Sequence, residues 1–296
     1  MKQNSISIIG SQMDLGSFRK GVDMGPLAIR HAGLIRKIQE IGYKVRDYGD
    51  IMPMVATTEG DHKMRYEKEI NDANRRLFEK VLEIYKEGSF PVILGGDHSI
   101  AAGSVSATAE NYGPVGILWI DAHGDFNDES ISPSGNIHGM PLSAVCGCGP
   151  DSLVSFTDAR VDPHNVVIIG ARDLDPPELV KLKEKGVRIY SINDVHTVGI
   201  KKILEEAIAI ASDGTSGIHL SFDMDALDPD YAPGVGTPVL NGLTTREGFM
   251  ICEAMFNSGK LLAIDIVETN PLLDNRNTTG RLAAELVLTC IGMTDY

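Results

Sequence analysis

The sequence lacks the features that mark membrane, secreted and nucleic-acid-binding proteins. No apolar run approaches the roughly 18 residues that a membrane-spanning helix needs. The opening segment, MKQNSISIIG, is too short and too polar for a signal peptide. Lys and Arg total 27 against 41 Asp and Glu, a formal net charge of −14. Such an acidic chain argues against partners such as nucleic acid or an anionic membrane.

Cysteine is also scarce. The chain has four cysteines, and none of them forms a CxxC pair: Cys146, Cys148, Cys252 and Cys290. Sparse cysteines without a secretion signal predict free thiols and a cytoplasmic location. The same absence argues against a zinc site built on thiolates.

The remaining composition is that of a globular protein. The chain has 296 residues, 43% of them hydrophobic and 23% charged, and apolar segments recur along its whole length. It contains no obvious repeat, low-complexity tract or long linker. We therefore expect one domain over residues 1–296.

Short apolar segments alternate with longer amphipathic ones. Eight segments are typical of strands: 5–10, 45–49, 91–94, 115–120, 166–169, 187–190, 217–222 and 261–267. Helical patterns lie between most of them, and one continuous helix is predicted over 26–41. This alternation predicts a parallel sheet covered on both faces. On pattern alone, a closed barrel and an open doubly wound sheet both remain possible.

Polar clusters follow several of the predicted strands, so they should meet at one edge of the sheet. The clusters are GGDH (95–98), DAHGD (121–125), SGNIHG (134–139) and DMD (223–225). Alternation along an extended strand end predicts Asp121, His123 and Asp125 on one face, and Asp223 beside Asp225. Unpaired carboxylates this close would repel one another, which favours a cation between them.

The ligand types indicate which metal would bind. Four carboxylates (Asp121, Asp125, Asp223, Asp225) and two imidazoles (His98, His123) suit Mn²⁺, and six ligands suit a pair of ions better than one. The alternative for DAHGD is a charged surface loop. DMD and GGDH taken alone are common patterns.

Three further residues stand out near this edge. His138 lies between Gly135 and Gly139, glycines that permit close approach to a ligand, and it suits a proton shuttle, although a loop histidine bonded to backbone is the alternative. Glu268 follows the last strand and would pair with a cationic group. His219 lies deeper in its strand and is interpreted as a core histidine rather than a ligand.

Taken together, these segments resemble the ureohydrolase superfamily, and within it the bacterial arginases. The resemblance runs from MDLGSFRKGVDMGPLAIR through LGGDHSIAAG, IDAHGDFND and SPSGNIHGMP to SFDMDALDPDYAPGVGTPV and DIVETNP. It implies a three-layer α/β/α fold around a mainly eight-stranded parallel sheet. It also implies two Mn²⁺ per subunit, a homo-trimer or homo-hexamer, and hydrolysis of the small-molecule guanidino substrate L-arginine to L-ornithine and urea.

The resemblance assigns roles by motif. One ion would be held by His98, Asp121, Asp125 and Asp223, and the other by His123, Asp121, Asp223 and Asp225. A hydroxide bridging the ions would attack the guanidinium carbon. Asp125, Glu268 and His138 would then hydrogen-bond the hydroxide, hold the guanidinium and relay protons, respectively.

The same resemblance implies contacts that select the substrate. Asn127, Ser134 and Asn136 would contact an α-carboxylate, Asp175 and Glu178 an α-amino group, and Thr237 would line the pocket. Agmatine lacks both α-groups and would leave these residues unpaired. Thr269 and Ala226 depart from the family pattern beside the site. Another ureohydrolase, acting on agmatine or a guanidino acid, is the alternative within enzymes, and a non-catalytic protein on this fold is the alternative outside them.

Overall fold

A computed structural model describes residues 4–293 of the chain. The strands are β1 (Ser5–Ser11), β2 (Lys44–Ile51), β3 (Gly60–Asp61), β4 (Met64–Arg65), β5 (Phe90–Leu94), β6 (Gly116–Ile120), β7 (Val166–Ala171), β8 (Arg188–Ser191), β9 (Ile218–Asp223) and β10 (Leu261–Val267). The helices are α1 (Gly25–His31), α2 (Leu34–Glu40), α3 (Glu67–Lys86), α4 (Ala101–Tyr112), α5 (Pro141–Val145), α6 (Pro176–Glu184), α7 (Ile192–Val198), α8 (Ile200–Ala211), α9 (Thr245–Ser258) and α10 (Thr278–Cys290).

Eight strands form one parallel sheet in the order β2-β1-β5-β10-β9-β6-β7-β8, while β3 and β4 form a separate small hairpin. The sheet is open, with β2 and β8 at its edges, so the barrel alternative is wrong. Each of the eight strands was predicted from the sequence to within a few residues. In the part of the chain described, no helix is both long enough and apolar enough to cross a membrane.

Two hydrophobic layers cover the sheet because consecutive strand residues point to opposite faces. Leu118 and Ile120 of β6 pack with α1, α2 and α7–α10 on one face. Ile117 and Trp119 of the same strand pack with α3–α6 on the other. The result is the expected three-layer α/β/α fold.

The helices differ from the prediction in four places, one of which is the five-residue α5, which was not predicted. The helix expected over 26–41 is divided into α1 and α2 at Gly33, whose φ of 86° lies in the left-handed region. Helix α4 was missed because its small residues are buried on nearly every side, which leaves no 3.6-residue stripe. Helix α7 was also missed, although Ser191 and Asp194 form a capping box at its start.

The four middle strands position the site. Strands β5, β10, β9 and β6 are neighbours in the sheet, and all four point the same way. His98 follows β5, Glu268 follows β10, Asp223 ends β9, and Asp121 follows β6. Side chains that are up to 170 positions apart in the chain therefore meet at the carboxyl edge of the sheet.

Candidate metal centre and active site

Two groups of ligand atoms meet at this edge and share Asp121. His98, Asp121 and Asp125 bring one ligand atom each to within 4.8 Å of one another, and so do Asp121, His123 and Asp225. His98 Nδ1 lies 3.1 Å from carboxylate oxygens of Asp121, Asp125 and Asp223. His123 Nδ1 lies 3.3 Å from Asp121 Oδ1 and 3.2 Å from Asp225 Oδ2. The six predicted ligands therefore form one continuous cluster.

The route by which these side chains converge differs from the prediction. Strand β6 ends at Ile120, and the residues after it form a loop in which Asp125 has a φ of 48°. Strand β9 is followed by a 3-10 turn, where Asp223 Oδ1 accepts a hydrogen bond from the Asp225 amide at 2.8 Å. The expectation of an extended strand end was wrong. The ligands converge because two turns fold back, not because strand residues alternate.

Burial and mutual repulsion shift the pKa values of the ionisable groups in the cluster. Burial and the neighbouring Asp121 raise the pKa of Asp125 to about 6. Burial, Asp225 and Asp121 raise the pKa of Asp223 well above its usual value. Burial alone would lower the pKa of His98, but the three carboxylates outweigh it and raise that pKa. Carboxylates held this close are the donor set that a divalent cation stabilises.

Residues around the cluster hold the ligands in place. The Trp119 indole donates to Asp121 Oδ2 at 2.9 Å and stacks on the His98 ring with centroids 3.9 Å apart. Ser221 Oγ lies 2.9 Å from His98 Nε2. The sequence analysis missed both, although each lies two positions before a ligand. The same alternation along the strand would have found them.

Asp97 of the GGDH segment also has a supporting role that was not predicted. Its carboxylate accepts hydrogen bonds from the amides of Gly16 at 2.8 Å and Ser99 at 3.0 Å. The Gly16 carbonyl in turn accepts from the His138 amide at 3.1 Å. Beside Asp97, the main chain of Gly96 packs closely against that of Met13. A Cβ on Gly96 would lie 1.8 Å from the Met13 carbonyl oxygen, so only glycine fits at position 96.

A cavity of about 160 Å³ opens over the cluster. Of the residues predicted for the site, eleven line it: His123, Asp125, Asn127, Ser134, Asn136, His138, Asp175, Glu178, Asp223, Asp225 and Thr237. His98, Asp121 and Glu268 are buried and do not line it. Asp173 also lines the cavity and was missed, although its place just after β7 fits the rule that found the others.

Glu268 and His138 face each other beside the cluster. Glu268 is 1% exposed, and its Oε1 accepts from the His98 amide at 3.0 Å and lies 3.3 Å from His138 Nδ1. Its Oε2 is buried and has no hydrogen-bond partner among the described residues. Burial alone would lower the pKa of His138, but Glu268 and Asp125 raise it to about 9.

The residues assigned to substrate contacts all line the cavity, and most of them are hydrogen-bonded to other protein groups. Ser134 is exposed and Asn136 is half-buried where they line the cavity, and Thr237 donates to Asp225 Oδ2 at 2.9 Å. Asn127 and Asp175 bind each other at 3.1 Å. Glu178 is the third helical residue of the capping box that Asp175 opens at the start of α6, and its carboxylate accepts from the amides of Phe126 and Asp175.

His219 is the core histidine that was predicted. It is fully buried, with Nδ1 2.8 Å from Thr108 Oγ1 and Nε2 3.0 Å from Asp265 Oδ2. These contacts lie between β9, β10 and α4, on the side of the strands away from their carboxyl ends. His219 does not belong to either group of ligand atoms.

Comparisons with known proteins identify the family. The model of the Arginase family matches residues 4–292. The chain is 44% identical to an arginase from Bacillus subtilis, over 97% of this chain and 98% of that one. The solved arginase of Bacillus caldovelox is 43% identical, with a TM-score of 0.94 over 98% and 99% of the two chains. An arginase from Entamoeba histolytica, solved with L-ornithine, is 30% identical, with a TM-score of 0.91 over 99% and 100%. The chain belongs to the Arginase family of hydrolases.

Proposed function

We propose that this protein hydrolyses L-arginine to L-ornithine and urea, using two Mn²⁺ ions per subunit. The observation that carries the proposal is the pair of ligand groups that share Asp121 beneath an acidic cavity. The family supports the reaction, because relatives at 44% identity over nearly the whole chain are named arginase.

The donor set fits such a metal pair. It contains four buried carboxylates and two imidazoles and no thiolate, which suits Mn²⁺ better than a structural zinc ion. We assign His98, Asp121, Asp125 and Asp223 to one ion, and His123, Asp121, Asp223 and Asp225 to the other. When bound, the ions would supply a nucleophile at neutral pH by lowering the pKa of a water molecule.

Glu268 would hold the guanidinium group of the substrate. Its Oε2 is buried without a partner, and such a carboxylate oxygen is stabilised by a charged N–H donor. Its other oxygen is fixed by the His98 amide, so the carboxylate is already oriented before substrate binds. Asp125 would accept a hydrogen bond from the attacking oxygen.

His138 would move protons between the site and solvent. Its side chain is 19% exposed, whereas the Glu268 carboxylate beside it is 1% exposed. An imidazole with one nitrogen near a buried carboxylate and an exposed edge can take a proton from the reacting groups and release it to water.

The rim of the cavity would recognise the α-groups of the amino acid. Asn127, Ser134 and Asn136 offer amide and hydroxyl groups, and Asp175 offers a carboxylate. Glu178 reaches the cavity, but both of its oxygens already accept backbone amides, so we expect it to act on an amino group through Asp175 or water. Thr237 would orient Asp225.

The test is urea release after the protein is stripped with a chelator and reloaded with Mn²⁺. Release from L-arginine with little from agmatine supports the proposal, whereas release from agmatine alone overturns the substrate assignment. Asp223→Ala should abolish release, and Asp213→Ala, a substitution of an exposed aspartate elsewhere, should leave it unchanged. Full turnover by Asp223→Ala would contradict the ligand assignment.

The proposal also covers the domain organisation, the oligomeric state and the cellular location of the protein. We expect one ureohydrolase domain over residues 1–296, a homo-trimer or homo-hexamer, and a cytoplasmic location. The four free cysteines are compatible with a reducing compartment. Sedimentation analysis would test the oligomer, and a single cooperative unfolding transition of the subunit would test the domain.

A further inference from the structure

Arg172 follows the last residue of β7 and directs its guanidinium group at backbone carbonyls. Nη2 donates to the carbonyl oxygens of Asp225 at 2.7 Å and Val239 at 2.8 Å, and to that of Leu227 at 3.4 Å. Nη1 and Nε donate to three more, those of Gly170, Ala226 and Leu240. Within residues 4–293, all of the hydrogen-bond acceptors of its side chain are carbonyl oxygens. The guanidinium is therefore bound by the main chain alone.

These contacts join the loops that carry the candidate ligands. The Arg172 amide donates to the Ala122 carbonyl at 2.8 Å, inside the loop that carries Asp121 and His123. Its guanidinium binds the Asp225 carbonyl, inside the turn after β9. One residue thus connects the main chain of both loops that form the second group of ligand atoms.

The segment that reaches Thr237 is held by the same side chain. The carbonyls of Val239 and Leu240 accept from Arg172, and Thr237 lies two residues before Val239. Thr237 itself donates to Asp225 Oδ2 at 2.9 Å. The orientation of the Asp225 carboxylate therefore depends on Arg172 both through its own main chain and through Thr237.

Only arginine fits this role. Its planar guanidinium has five N–H donors in a fixed arrangement, whereas a lysine ammonium has three on a flexible stem. Its charge also interacts with the carboxylates of Asp225, Asp121 and Asp223 without contacting any of them. It can therefore favour the ionised cluster while leaving the carboxylate oxygens available as ligands.

We propose that Arg172 is a positioning residue that fixes Asp225 and Thr237, and thereby the half of the metal centre formed by His123, Asp121 and Asp225. This inference rests on the proposed function, because it concerns the binding of the second ion. It predicts that loss of the guanidinium affects the two ions unequally.

The first test is a Mn²⁺ titration of the whole protein, followed by the electron paramagnetic resonance signal of free Mn²⁺. Arg172→Lys should weaken one of the two binding events about 10- to 100-fold and leave the other within a factor of about three. Arg160→Lys is the matched control, because Arg160 also donates to carbonyl oxygens, those of Thr157 and Ala159, and does not line the cavity of the site. Equal weakening of both events, or no weakening, would overturn the proposal.

The second test uses the wild-type protein and therefore does not depend on the folding of a variant. The amides of Asp228 and Leu243 bond within the segment that Arg172 holds. In metal-free wild-type protein, hydrogen–deuterium exchange should leave both protected, because Arg172 rather than the metal fixes the segment. Loss of their protection when Mn²⁺ is removed would overturn the role of Arg172. A wild-type protein that keeps this protection but binds no second ion would refute the two-ion function instead.

Discussion

Trp119→Phe tests how strongly the hydrophobic layer supports the metal centre. Trp119 is fully buried, stacks on His98, and donates its indole N–H to Asp121 at 2.9 Å. Phenylalanine keeps an aromatic ring in the layer but removes the donor and the second ring. The variant therefore separates the hydrogen bond from the presence of an aromatic group.

The expected magnitude follows from these contacts. A hydrogen bond to a charged group contributes about 1.5–3 kcal/mol, and the lost apolar contact of the smaller ring adds roughly 1 kcal/mol. The free energy of unfolding of the metal-free protein should fall by about 2–4 kcal/mol, which for a chain of 296 residues corresponds to a fall in Tm of roughly 3–6 °C. Because Asp121 belongs to both ligand groups, Mn²⁺ affinity should fall about 10- to 100-fold.

The assay combines urea denaturation of the metal-free protein with Mn²⁺ titration. Phe90→Leu is the control, since Phe90 is a buried core residue at the opposite end of β5 from His98. It should lower stability but leave Mn²⁺ affinity unchanged. If Trp119→Phe costs less than about 1 kcal/mol and binds Mn²⁺ as the wild type does, the indole does not orient Asp121.

Three further predictions concern the proton relay by His138, the buried carboxyl group of Glu178 and the N-terminal cap of α9 at Thr244. His138→Asn should lower kcat about 10²- to 10⁴-fold with Mn²⁺ binding unchanged; a loss of less than about tenfold in urea release would exclude the proton relay. Burial raises the pKa of Glu178 from 4.5 to about 8, so its contribution to stability is lost as pH rises through that range, because the unfolded chain releases the proton first. Glu178→Gln should therefore flatten the pH dependence of unfolding of the metal-free protein by at most about 1.4 kcal/mol per pH unit, and the same slope in both proteins would contradict this. Thr244 caps α9 by accepting from the Glu247 amide; Thr244→Ala should cost about 1 kcal/mol of stability, Thr244→Ser should restore it, and urea release should not change in either.

The sequence predicted the strands well because each one is a continuous apolar segment. Buried parallel strands have this signature, and turn residues bound them here, as at β5 before GGDH. The same rule placed the polar clusters at one edge of the sheet. The choice between barrel and open sheet needs the order of the strands, which periodicity does not contain.

The failures have local causes. Gly33 divides a helix because its φ is positive, a property that the amphipathic pattern of 26–41 does not reveal. Helix α4 is built from small residues and is buried nearly all round, so its pattern carries no stripe. Both effects arise from packing and backbone conformation rather than from hydrophobic periodicity.

The ligand set was predictable, but its geometry and supporting residues were not. Asp125 lies in a loop and contacts His98 from a left-handed backbone conformation, which is uncommon for residues other than glycine. Arg172 was not singled out, since an arginine after a strand has many uses. Its six carbonyl acceptors come from segments up to 68 residues away, which only the folded chain brings together.

The place of β10 has a consequence for the order of folding. It is the last strand in the chain, yet it lies in the middle of the sheet, between β5 and β9. During synthesis the chain can therefore form only two part-sheets, β2-β1-β5 and β9-β6-β7-β8, each with an unpaired inner edge prone to aggregation. Because β10 pairs with both β5 and β9, the two parts and the ligands they carry can join through it only after residues 261–267 have been synthesised. Assembly of the metal centre is thus a late event that requires nearly the whole chain, and folding dominated by such distant contacts is intrinsically slow.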